Sequence, residues 1–199
     1  MNPQARPAEG ISIVRIRRMI ERVDGFLIAP NASVQERMLG YGAGVFGAAF
    51  AATVSMGGSF TFVQVAVLVA IGFDLFGGVV VNATNAGSSR FHHSNITRWR
   101  PLGFVLAHVH PFVLALVFPG FSWRLAVLSY FGIVLATVLV LVSPSALRAA
   151  VAFGATAILI SATLAFTDVN GAIVWVIPVL AIKLLLAHLL PHAQRTKRP

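Results

Sequence analysis

Residues 60–84 read FTFVQVAVLVAIGFDLFGGVVVNAT, a run of 25 residues in which Asp74 is the only charge. At about 1.5 Å per residue, ~20 apolar residues in a helix cross a ~30 Å hydrocarbon core, so this run is long enough to span a membrane. Similar runs lie at about 38–57, 101–119, 123–142, 146–166 and 171–190. The composition agrees, with 57% hydrophobic and 11% charged residues and a mean hydropathy of +0.84. The expected fold class is all-α: a polytopic membrane protein built as a bundle of six transmembrane helices.

The charges between the spans orient it. Arg6, Arg15, Arg17, Arg18, Arg22 and Arg37 precede the first span; Arg90, Arg98 and Arg100 lie in the second loop, Arg148 in the fourth, and Arg195, Lys197 and Arg198 in the tail. The alternate loops hold only Arg124 and Asp168. This bias places both termini in the cytoplasm. The formal charge of +9 is therefore a topology signal and does not imply nucleic acid as a partner. The richness in Ala, Val and Arg and the small size suggest the cell membrane of a bacterium, its inner membrane. With no cysteine, disulfide oxidases and iron–sulfur proteins are excluded.

The first ~35 residues show no secretory signal pattern. Ile13, Ile16, Ile20, Val23 and Leu27 recur at helical spacing beside Arg15, Arg18 and Arg22, which predicts an N-terminal amphipathic interfacial helix on the anionic leaflet. The expected organisation is a cytoplasmic segment 1–32, a transmembrane domain 33–192 and a basic tail 193–199. Ser33 and Glu36 resemble a capping box that restarts the helix. Gly40, Gly44 and Ala48 give the first span a nearly bare face, suited to packing within the monomer or to a homodimer.

Polar chemistry gathers toward the cytoplasmic end. Were residues 74–92 one helix, Asp74, Gly78, Val81, Asn85, Ser88 and His92 would share a stripe. Asp74 would lie ~15 Å below the end of the span, where an acid costs about 2.5–3.5 kcal/mol on insertion scales and needs a partner. Lys183 either pairs with Asp74 or snorkels to the interface. His108 and His110, two apart, point to opposite sides of a regular helix, with His108 the inward choice; Pro111 introduces a kink. His188 and His192, four apart, share a face as paired metal ligands do. The expected site has Asp74 and His108 as acid–base groups, Asn82, Asn85 and Ser88 as substrate-binding groups, and His92, His188 and His192 as ligands to zinc or iron.

Ser88-x-x-x-His92 with His188-x-x-x-His192 resembles the motifs of the seven-helix zinc hydrolases that include alkaline ceramidases and adiponectin-receptor-like proteins. The resemblance implies zinc near a membrane face and cleavage of a lipid amide by activated water. This chain departs from it in having six spans and no acid between His92 and Asp168.

Several functions fit. The leading one is a membrane-embedded enzyme, a hydrolase or lipid-modifying enzyme acting on membrane lipids or another small hydrophobic substrate. A cyclase or isomerase using Asp74 as its acid is its cofactor-free variant. The alternatives are a proton- or cation-coupled transporter using Asp74, a bis-histidine haem protein, and a non-catalytic membrane subunit or assembly factor.

Overall fold

The computed structural model describes Gly25, Ile28, Ala29 and residues 31–90 and 99–191. The expected interfacial helix, the basic tail, His92 and His192 lie outside the described residues. What is described is all-α, with six helices long and apolar enough to cross a membrane: Val34–Ser55, Phe62–Ala83, Arg100–Val117, Trp123–Val142, Ser145–Ala165 and Gly171–His188. The chain is a multi-pass membrane protein.

Two capping boxes set where the first pair of spans begins. Ser33 Oγ accepts from Glu36 N (3.2 Å) while Glu36 Oε2 accepts from Ser33 N (2.7 Å), so the first span starts at Val34. The other Glu36 oxygen accepts from Ala86 N at 3.1 Å, tying this start to the chain beyond the second span. Thr61 and Gln64 form the second box, and Gln64 Nε2 also donates to the Val117 carbonyl (3.0 Å), clasping the far ends of spans two and three.

Spans one and two pack through glycine. Gly40, Gly44 and Gly47 are buried; a Cβ at Gly40 would sit 2.7 Å from Val81 Cγ2, one at Gly44 2.9 Å from the Phe73 ring, and one at Gly47 would collide with the Gly72 carbonyl oxygen. Such backbone approach is open only to the smallest residues. The face carrying Gly40 and Gly44, suited from the sequence to a homodimer, is thus occupied within the single chain, with Ala48 half-buried at its edge.

The sixth span is the axis of the bundle. Ile173, Val176, Ile177, Leu180 and Leu184 join Leu68 and Leu75 of the second span, Leu114 of the third and Ile133 and Val140 of the fourth in one apolar core. Two spans depart from regular helix. The third is helical over Arg100–Leu106 and His110–Val117 and breaks between them. Pro111 has no N–H to give the Ala107 carbonyl, which accepts instead from Val109 N (3.1 Å). Tyr130 Oη of the fourth span donates to the Leu106 carbonyl at 2.9 Å, satisfying backbone that the break exposes at membrane depth. The sixth span ends in a π-helix, Ile182–His188, a wider turn that often marks functional sites.

Candidate functional site

Asp74 and Lys183 form an ion pair in the interior of the bundle. Lys183 Nζ lies 2.6 Å from Asp74 Oδ2 and donates as well to the Asp74 carbonyl oxygen at 3.2 Å. Of the two positions open to Lys183 from the sequence, it takes the inward one; its side chain is 2% exposed. Gly78 makes room for it. One turn beyond Asp74, a Cβ there would collide with Lys183 Cε, so the glycine leaves a slot through which the lysine stem reaches the acid.

His110 completes the cluster, with Nε2 3.2 Å from Asp74 Oδ2. The sequence favoured His108 over His110, because residues two apart on a regular helix diverge. The break at 107–109 overturns that premise: both rings turn inward, their centroids 5.5 Å apart. The signal was Pro111, whose missing N–H permits the break.

His108 Nδ1 lies 2.7 Å from the Phe104 carbonyl. A carbonyl only accepts, so Nδ1 carries the proton in this contact and Nε2 is the basic atom of the neutral ring. His188, 1% exposed, holds the Pro101 carbonyl through Nε2 at 3.2 Å and stacks on Phe104 with ring centroids 4.2 Å apart. By the same reasoning its Nε2 is protonated and aimed at backbone. Among the described residues no group of three or more His, Asp or Glu is placed to hold a metal ion, and His92 and His192 lie outside them.

Asp74, Lys183 and His108, though not His110 or His188, border a cavity of about 510 Å³ between spans two, three and six. Asp74, Lys183 and His108 line its depth, and Arg90 and Arg100 line the end nearest the loops. Asp74 keeps 47% of its side chain exposed although it sits in midspan, because it forms part of this lining. Asn82 also lines the wall; it is buried, and its Nδ2 has no hydrogen-bond partner among the described residues.

The expected single stripe from Asp74 to His92 is not what the chain builds. The second span stops at Ala83, and Thr84 turns extended (ψ 159°), its Oγ1 donating to the Val81 carbonyl (2.7 Å) and accepting from Gly87 N (3.1 Å) to begin the short helix Asn85–Ser89. Asn85 is exposed and Ser88 buried, and neither lines the cavity. Of the polar residues the sequence singled out, Asp74, Lys183, His108 and Asn82 are brought to one cavity. His110, Arg90 and Arg100 were passed over, the arginines because their charge was absorbed by the topology argument.

No protein-family model, curated protein or solved structure matches the chain.

Proposed function

We propose that this protein is a membrane-embedded enzyme performing acid–base chemistry on a lipid or other hydrophobic substrate in the cavity between spans two, three and six. One observation carries the reading: a midspan carboxylate, locked to a buried ammonium, presents nearly half its side chain to a cavity where a histidine offers Nε2. Ionisable groups inside a bilayer are expensive and mark functional sites by default. A pair of titratable groups in unlike environments is the usual basis of acid–base assignment.

In this reading His108 Nε2 takes a proton from the substrate, with Nδ1–H held on the Phe104 carbonyl to keep the ring oriented. Asp74 with Lys183 and His110 forms the opposing polar cluster, which delivers a proton or stabilises developing charge. The chemistry this supports is proton transfer, as in isomerisation, cyclisation or hydrolysis by activated water, and the roles assigned need no metal. The excess of arginine in the loops at that end supports a cavity mouth on the cytoplasmic side, in this reading of a bacterial inner membrane. Because the chain has no cysteine, Ser145→Cys provides a clean test of this topology: an impermeant maleimide labels it from the cytoplasmic side alone.

The functional test is incubation of the protein in nanodiscs with total membrane lipid extract, followed by mass spectrometry. The expected result is one lipid class consumed by the wild type and not by His108→Gln or Asp74→Asn, with His108→Gln retaining wild-type thermal unfolding. No lipid change, together with Asp74-dependent proton uptake in liposomes under a pH gradient, would replace the enzyme with a proton-coupled transporter.

A further inference from the structure

A second cavity lies at the opposite end of the bundle, between spans four and five and the loops that lead into spans four and six. Its volume is about 450 Å³, within the range of about 300–1,000 Å³ usual for ligand sites. It shares no lining residue with the Asp74 cavity. The connections at this end carry one cation, Arg124, and one acid, Asp168, and both line the cavity. Among the described residues neither side chain has an ion pair or a hydrogen bond, with the other or with anything else. A cation and an acid that share a cavity without meeting leave room for a ligand that brings the opposite of each.

A buried hydroxyl points the same way. Ser55, Thr137, Thr156 and Thr163, buried in their spans, each donate to the carbonyl four residues back. Ser129 of the fourth span, 5% exposed, does not; it lines this cavity, and its hydroxyl has no partner among the described residues. A buried hydroxyl without a partner is costly, so the wall holds a donor ready for a ligand oxygen. The apolar part of the wall includes Leu128 and Phe166, both exposed on the outside of the bundle. The cavity therefore opens onto the face that meets hydrocarbon.

We propose that this cavity binds a zwitterionic phospholipid of the non-cytoplasmic leaflet, with its phosphate on Arg124 and Ser129, its ammonium on Asp168 and its acyl chains along Leu128 and Phe166. Arginine alone does not select this lipid, because a guanidinium suits the phosphate of any phospholipid. Asp168 supplies the selection. Phosphatidylglycerol brings no cation for the carboxylate, which repels its phosphate, whereas an ethanolamine headgroup brings an ammonium with three N–H donors.

The probes are dioctanoyl phosphatidylethanolamine, dioctanoyl phosphatidylglycerol and free phosphoethanolamine, titrated by native mass spectrometry onto delipidated protein in a neutral detergent. The ethanolamine lipid should bind about fivefold more tightly than the glycerol lipid, the upper range for an exposed ion pair. Asp168→Asn should abolish that preference by weakening the first lipid and strengthening the second. Arg124→Gln should weaken both, and Arg124→Lys should recover part. Arg124 and Asp168 are exposed, so these variants should melt as the wild type does. Arg148→Gln makes the same charge change beside a different cavity and should leave binding intact. Equal binding of the two lipids by the wild type, a preference that survives Asp168→Asn, or equal weakening by Arg148→Gln overturns the proposal. Free phosphoethanolamine binding as tightly as its lipid also overturns it, since the ligand would then be a soluble zwitterion.

Discussion

The second span has two faces that solve opposite problems. Toward the first span, Gly72 and Gly77 meet Gly47 and Gly44 so closely that backbone touches backbone and nothing polar from a side chain intervenes. Toward the third and sixth spans, Asp74, Gly78 and Asn82 border open space, and contact is made by the long arm of Lys183. Small residues occur on both sides, but they do different work. On the first face a glycine removes an obstacle between helices; on the second, Gly78 makes a channel for another residue's side chain. Close packing is concentrated on one side of this helix and ionisable groups on the other.

The sharpest test exploits the unequal surroundings of the ion pair. Asp74→Ala strands an ammonium that is 2% exposed, which should cost about 3–5 kcal/mol of unfolding free energy. Lys183→Met leaves a carboxylate that still has His110 at 3.2 Å and the cavity before it, so the loss should resemble that of an exposed pair, about 1 kcal/mol. The double variant should unfold close to Lys183→Met alone. Equal losses in the two single variants, measured by unfolding in mild detergent, would mean that the cavity does not solvate Asp74.

Next in size is the glycine seam. Gly47→Leu meets the backbone oxygen of Gly72, which has nowhere to retreat, and overpacking of this kind costs about 1–3 kcal/mol. The smallest stability effect is expected across the helix at Gly78→Ala. There the added methyl meets the flexible end of Lys183, and the ~0.5–1 kcal/mol gained from helix propensity offsets its displacement. Melting should hardly move while lipid conversion falls. If Gly78→Ala unfolds the protein as readily as Gly47→Leu, the two faces are not distinct in kind.

Much of this architecture could be read without coordinates, because a bilayer reduces the problem to length and polarity. All six spans lie where hydropathy placed them, and the Ser33–Glu36 capping box is formed as its spacing implied. Asp74 was identifiable as a residue needing a partner simply from its depth. The errors arose wherever the argument assumed an unbroken helix. Thr84 ends the second span because its hydroxyl bonds the Val81 carbonyl and caps the next turn, so Asn85 and Ser88 leave the stripe. Pro111 opens the third span and brings His110 to Asp74, a convergence that no regular periodicity contains. The π-helix around Lys183 likewise has no signature in hydrophobic spacing.

The partnership of Asp74 and Lys183 also orders the biogenesis of the protein. The two residues are 109 positions apart, on the second and the last of the six spans. At about 5–20 residues per second, the ribosome needs on the order of 5–20 s to reach the lysine after making the aspartate. During that interval a nascent chain holds an acid in the bilayer without its counter-ion, and closure waits for the C-terminal helix to arrive as the centre of the bundle. Chains truncated before the sixth span lack both the axis of the core and the ammonium that reaches Asp74. The ion pair is thereby satisfied only once the sixth span has been made.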